Sequence, residues 1–348
     1  MPGHDIIVIG ASAGGVEALA RLARDLPPDL PAAIFVVLHF PVNGTSVLPN
    51  ILNRHGKLRA AHATQDEPIE HGRIYVAPPN HHLLVKRDRI RVMHGPRENG
   101  HRPAIDPLFR SAARSYGKRV VGTILSGTLD DGTMGLCVVK ECGGVAVVQD
   151  PDDAFFSAMP RSAIENVAVD HILPLMEIGP ALVRLAHDSV EEGDMMAELN
   201  GGIDGDLKRD PDVVEQRLSD LETGKLDGER SDYTCPECGG VMRELANRDM
   251  VRFRCHVGHA YSADSLLAHQ SEYLEAALWA ALRALEEQAA LSRRLSERAQ
   301  GRGHSRAASQ FTEQALETEQ RSHVIRQVLL KSAAMTSGVP AETDVMGQ

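Results

Sequence analysis

The chain has 348 residues, enough for about two domains with buried cores. Its 37 Lys and Arg against 48 Asp and Glu give a net charge of −11, which argues against a protein built to neutralise nucleic-acid phosphates or an anionic membrane surface. No stretch reaches the roughly 20 apolar residues of a spanning helix, and the first residues lack the basic segment and small-residue cleavage site of a signal peptide. The expectation is a cytoplasmic protein with no nucleic-acid partner and no membrane insertion, its five cysteines too few for a disulfide framework.

Over 1–187, short β-branched runs alternate with amphipathic segments, which predicts an α/β domain with a doubly wound, largely parallel sheet and helices on both faces. Continuous apolar runs at 6–9, 34–38, 120–125 and 145–148 read as strands covered on both sides. A helix is expected over 15–26, and another over 106–116 with Asp106 as its N-cap and Pro107 at its first position. The stretch 72–93 reads as short antiparallel strands turning at Pro78-Pro79-Asn80 and at Arg87-Asp88-Arg89.

Residues 188–232 carry 15 acidic and 5 basic side chains and read as an acidic linker, interrupted by a short helix over 211–222. A compact cysteine module follows at 233–261, then a helical hairpin at 262–334 and a disordered tail at 335–348. Ser262 is placed to cap the first hairpin helix, which breaks at Gly301-Arg302-Gly303. Leu267, Leu274, Leu278, Leu282, Leu285 and Ala289 form one predicted stripe, and Phe311, Ala315, Thr318, Ile325 and Leu329 the other.

The strongest local signal is Gly10-Ala11-Ser12-Ala13-Gly14-Gly15, a strand turning sharply into a helix with serine at the apex. Such a turn raises the hydroxyl above the sheet, and helix-start amides can face a developing oxyanion. A glycine-rich turn after a first strand equally marks nucleotide-binding folds, but those place an acidic residue at the end of the second strand. Here that position is His39, within reach of Ser12 as a general base, although a lone capping or core histidine would look the same. A third strand opens into Ser126-Gly127-Thr128-Leu129-Asp130-Asp131-Gly132, where one of two carboxylates could orient His39.

Together these segments resemble the catalytic domain of the chemotaxis receptor methylesterase (CheB) family, over about residues 5–187. The serine turn, Leu38-His39-Phe40-Pro41, the aspartate loop, His101-Arg102-Pro103-Ala104-Ile105-Asp106 and Met159-Pro160-Arg161 carry the resemblance. It implies hydrolysis of γ-glutamyl methyl esters on a methylated chemoreceptor-type protein, and deamidation of glutamine, without a catalytic cofactor. Ser12 becomes the nucleophile, His39 the base and Asp131 its orienting partner, with Ala13, Thr128, His101 and Arg102 as oxyanion or substrate-binding residues. The chain departs from the family at Ala13, often threonine, and at Gly127-Thr128-Leu129, often GMG. Because the first strand starts near Asp5, the form expected is one without a preceding receiver domain.

Cys235-Pro236-Glu237-Cys238, a 16-residue gap and Cys255-His256-Val257-Gly258-His259 give a CxxC knuckle followed by CxxxH. Four soft or borderline ligands on tight turns suit structural zinc, with Cys235, Cys238, Cys255 and His259 as the set and His256 as the competing fourth ligand. Cys137 and Cys142 read as core thiols, and Asn80-His81-His82 lacks a third ligand. The hairpin stripes read first as two helices packing on each other, with a regulatory partner as their other use, and the alternative to an active esterase is an adaptor whose ribbon and hairpin bind a signalling protein.

Overall fold

A computed structural model describes residues 3–40, 44, 46–190, 228–247 and 250–337. The acidic linker's helix at 211–222 and most of the predicted tail lie outside the described residues. By internal contacts the chain divides into two units, Met1–Leu266 and Leu267–Gln348.

The first unit opens with β1 (Ile6–Ala11), α1 (Gly15–Asp25), β2 (Ala33–Leu38), α2 (Leu48–His55), β3 (Arg59–His62) and β4 (Arg73–Val76). A hairpin of β5 (His82–Lys86) and β6 (Arg89–Met93) precedes α3 (Ile105–Tyr116) and β7 (Val120–Ile124). Then come α4 (Thr133–Glu141), β8 (Val145–Gln149), α5 (Ala158–Asn166), β9 (His171–Leu173) and α6 (Leu175–His187). Seven strands form one sheet in the order β3-β4-β2-β1-β7-β8-β9, every pair parallel.

Side chains alternate across each strand, so the apolar runs serve two cores. Ile6, Val8, Phe35 and Val37 pack with Leu108, Phe109, Leu136 and Met159 on one face. Ile7, Ile9, Ile34 and Val36 pack with Leu19, Leu22, Leu52 and Leu182 on the other. This double burial is why the strands read as unbroken apolar runs rather than as polar-apolar alternation. The chain leaves β1 toward β2 on one side and later adds β7 on the other, which makes the carboxyl ends of these central strands the switch point where α/β folds bind ligands.

Two local expectations change. Arg73–Val76 is a parallel strand of the main sheet, and only His82–Lys86 with Arg89–Met93 forms the antiparallel hairpin. The N-cap of α3 is Ala104 rather than Asp106. Asp106, at the second helical position, turns its carboxylate to the neighbouring α4, accepting from the amides of Gly132 (3.1 Å) and Gly135 (2.6 Å). Its carboxyl oxygen therefore accepts at the start of another helix, whose own N-cap, Gly132 at φ 97°, has no side chain to offer.

The unit closes with a four-stranded antiparallel ribbon, β10 (Glu229–Thr234), β11 (Val241–Asn247), β12 (Met250–Cys255) and β13 (Ala260–Ser262), in that order. Its small core holds Cys235, Met242, Phe253, Cys255, Tyr261 and Leu266. The second unit is built from α7 (Ala263–Gly301), which starts in the first unit, and α8 (Ser305–Ser337). The Ser262 hydroxyl accepts from the Ser265 amide at 3.1 Å and caps α7. Ser296 meets Thr312 and Ala308, and Arg293 and Arg326 pair with Glu319 and Glu286, so the helices run antiparallel. No described helix is long and apolar enough to cross a membrane.

Candidate active site and metal centre

β1, β2 and β7 lie side by side, and the segments that leave their carboxyl ends bring Ser12, His39 and Asp131 together. Ser12 follows β1, and its turn depends on small residues. Gly14 has φ 74°, and a Cβ there would approach the Ser126 hydroxyl and Phe155 Cβ within 3 Å. A Cβ at Gly127 would fall 2.4 Å from Met159 Sδ and 2.9 Å from Ser12 Cβ, so glycine lets the aspartate loop pass beside the serine. Ser126 fixes this meeting of loops, donating to Ala13 O (2.8 Å) and accepting from Phe156 N (2.9 Å).

His39 follows β2 with its side chain 5% exposed. Its Nδ1 lies 3.2 Å from Ser12 Oγ and its Nε2 2.8 Å from Asp131 Oδ2. An ionised Asp131 only accepts, so Nε2 carries the proton and Nδ1 presents its lone pair to the serine hydroxyl. Burial alone would raise the Asp131 carboxyl, but the His39 hydrogen bond, the nearby histidines and the Ile105 amide (2.7 Å) leave it below its usual range. Asp106 moves the other way, pushed up to about 8 by burial and by the charge of Asp131. One of these neighbours thus stays neutral while the other faces His39 ionised.

His101 stacks on His39 with ring centroids 3.6 Å apart and planes 9° apart. It is held by a tight turn in which Glu98 and His101 exchange backbone hydrogen bonds around Asn99-Gly100, both at positive φ (51° and 74°). This is the type I′ geometry that Asn-Gly favours. Asn99 Nδ2 donates to Asp131 Oδ1 (2.9 Å) and to Asp106 Oδ2 (3.1 Å). Buried His82, in β5 rather than in a turn, donates to Pro96 O (2.9 Å) and accepts from Ala104 N (3.3 Å). Burial drives its pKa down to about 4, so it stays the neutral clamp of this segment. Arg102 spends its guanidinium on Asn80 Oδ1 and Gly95 O.

In the ribbon, ligand atoms of Cys235, Cys238, Cys255 and His259 all lie within 4.8 Å of one another. Nδ1 of His259 is 3.5 Å from Cys235 Sγ and 3.6 Å from Cys255 Sγ, and the Cys238 and Cys255 sulfurs are 3.6 Å apart. Zinc bonded at about 2.3 Å to sulfur and about 2.0 Å to nitrogen would give tetrahedral edges of roughly 3.5–3.8 Å. The donor set and its spacing fit that ion. His259 Nε2 meets Glu237 Oε2 at 2.6 Å, the carboxylate contact that orients a metal-binding imidazole. His256 is exposed, outside the cluster.

The CheB methylesterase family profile matches residues 7–182, half of the chain. The chain belongs to the CheB methylesterase family. It is 40% identical over 190 residues to a Leptospira interrogans protein, covering 54% of this chain and 98% of that one. It is 41% identical over 181 residues to protein-glutamate methylesterase/protein-glutamine glutaminase 2 of Anaeromyxobacter dehalogenans, covering 52% of this chain and 53% of that one. The Thermotoga maritima CheB methylesterase catalytic domain superposes with a TM-score of 0.50 at 32% identity, over 52% of this chain and 98% of the domain.

Family motifs acquire physical content here. Met159, fully buried, donates its amide to Gly127 O at 3.0 Å and fills the space beside the aspartate loop. Leu129 stands where the family often has the second glycine of GMG, and it adopts φ 60°, the left-handed region that glycine enters without strain. Among the backbone donors near Ser12, the Ser12 amide goes to Ser126 O and the Gly127 amide to Phe156 O. The Ala13 and Thr128 amides donate to no group among the described residues. Asn99, Asp106, Ser126 and Glu237 take part in these frames without having been singled out for those contacts. The Asn-Gly dipeptide was a usable signal for the first, whereas the other three depend on contacts between distant segments.

Proposed function

We propose that the chain is a protein-glutamate methylesterase that uses Ser12 as nucleophile, His39 as general base and Asp131 as orienting carboxylate. The line Ser12 Oγ–His39 Nδ1, His39 Nε2–Asp131 Oδ2 carries this reading. Nδ1 takes the Ser12 proton as Oγ attacks the carbonyl carbon of a γ-glutamyl methyl ester. The Ala13 and Thr128 amides are the donors assigned to the tetrahedral oxyanion, the first at the amino end of α1 where the helix dipole favours negative charge. The imidazolium then protonates the departing methoxide, leaving a Ser12 ester. Water, deprotonated by His39, hydrolyses that ester and releases glutamate. Glutamine deamidation follows the same course with ammonia as the leaving group.

The substrate class is a methylated chemoreceptor-type protein, as the chemistry named for the relatives implies. Phe155, 86% exposed beside the Ser12 turn, and Phe156 support a contact with such a protein surface. Cys235, Cys238, Cys255 and His259 would hold one zinc ion, which would tie the knuckle to the end of β12 and serve structure rather than catalysis. The exposed apolar side chains Trp279, Leu316, Val324 and Val328 support a partner-binding role for the hairpin.

Methanol release from a methylated receptor tests the triad. Ser12→Ala is expected to lower kcat by at least about a thousandfold, with the far-ultraviolet circular dichroism unchanged. Release equal to that of the wild type would overturn the assignment.

A further inference from the structure

Outside the residues that do the chemistry, the ribbon grips the turn behind Asp131. Arg252 of β12, 3% exposed, ion-pairs with buried Glu98, which also takes a bidentate pair from Arg110 at 2.8 and 2.9 Å. The next residue, Asn99, is held by β13 at both its backbone and its side chain. Its amide donates to Ala260 O at 2.8 Å, and its Oδ1 accepts from the Ser262 amide at 3.0 Å. The remaining hydrogen-bonding end of that side chain, Nδ2, reaches Asp131 Oδ1. At the start of α7, Ser265 Oγ donates to Asp130 Oδ1 at 2.6 Å. Arg97, on the other side of Glu98, pairs at 2.8 Å with Glu237.

These contacts have a directional consequence. A primary amide whose oxygen is fixed by a strand can turn its NH2 only one way, here between the Asp106 carboxyl and Asp131 Oδ1. That leaves Oδ2 to the Ile105 amide and His39. We propose that the ribbon is part of the esterase's catalytic frame, with Asn99 as a positioning residue that transmits its docking to Asp131. The proposal rests on the triad reading above. It adds that a module outside the matched residues 7–182 sets the catalytic rate.

The 348-residue chain, loaded with zinc, tests it through methanol release by wild type, Arg252→Met, Arg252→Lys, Asn99→Gly, Arg252→Met with Asn99→Gly, and Ser12→Ala. Arg252→Met keeps the aliphatic stem and leaves Glu98 paired with Arg110, while Asn99→Gly suits the positive φ and removes only the side chain. Expected is a fall in kcat of about tenfold or more for each single variant with KM within twofold, recovery to within about threefold in Arg252→Lys, and no further fall in the double variant. The downfield proton resonance of the His39–Asp131 hydrogen bond should move in Arg252→Met and Asn99→Gly alike, with the zinc content unchanged.

Single variants that keep kcat within twofold would overturn the proposal, as would fully multiplicative losses in the double variant. So would an effect confined to KM. If Arg252→Met does not fold, Asn99→Gly decides by its kcat and the same resonance. Ser12→Ala with wild-type rate would instead remove the triad reading itself, so the two failures are distinguishable.

Discussion

Asp131 and Asp106, both buried, share the Asn99 side-chain amide as a donor, and their opposite protonation gives a pH dependence whose sign can be worked out. An unfolded aspartate titrates near about 3.9, whereas folded Asp106 is pushed up to about 8 by burial and by the Asp131 charge. Between those values the folded chain keeps a proton that the unfolded chain has released, so Asp106's contribution to stability declines as pH rises. Asp131, held low, contributes in the opposite sense, and its share is lost only as pH falls below the ordinary aspartate range. Asp106→Asn removes the first titration. The urea midpoint of the wild type relative to Asp106→Asn is therefore expected to fall steadily from pH 4.5 to pH 8.5. A difference that stays flat across that range would show that Asp106 is ionised in the folded protein.

Each element of the site arises from a local rule joined to a distant contact. The serine turn was legible because glycines flank Ser12 at a strand end, and His39 and the aspartate loop because each also follows an apolar run. The atoms that meet were not legible. Nothing in the order of residues says that Asn99 bonds to Asp131, or that Asp106 caps α4 rather than its own α3. In the ribbon, spacing supplied three cysteines and a choice between two histidines, and the strand pairing supplied the rest. Register between β12 and β13 puts Arg254 opposite Ala260 and aims His259 inward, while His256 stays exposed. Glu237, inside the CxxC loop, then meets His259 from behind. Glu237→Gln is expected to weaken zinc binding by about 10–100-fold, measured by competition with a chromophoric chelator. Unchanged affinity would mean that the carboxylate does not orient the imidazole.

At the scale of the molecule the two units have different kinds of core. The first buries large side chains on both faces of a parallel sheet. In the second, Leu282, Ala289 and Ser296 on α7 and Ala308, Ala315, Ser322 and Leu329 on α8 recur every seven residues, and most are small. Leu267 and Leu274, expected in the stripe, are 66% and 60% exposed. Small buried residues remove little apolar area from water, so the hairpin should melt first. Trp279 is the chain's single tryptophan and sits on α7, which makes its fluorescence specific to that unit. Its transition in urea is expected at lower concentration than the loss of esterase activity. Coincident transitions would show that the two units unfold together.

By itself the sequence determined the elements whose causes are local. These are apolar runs for doubly covered strands, glycines for the serine turn, the CxxC and CxxxH spacings for a knuckle of clustered cysteines, and Ser262 as a helix cap. Tertiary structure alone decided what those elements face: which carboxyl is held low and which is pushed up, which histidine joins the three cysteines, and that the ribbon holds the turn behind Asp131. The physical reason is that burial, charge coupling and hydrogen-bond direction belong to pairs of residues as far apart as Asn99 and Ser262, and only the folded chain brings such pairs within 3 Å.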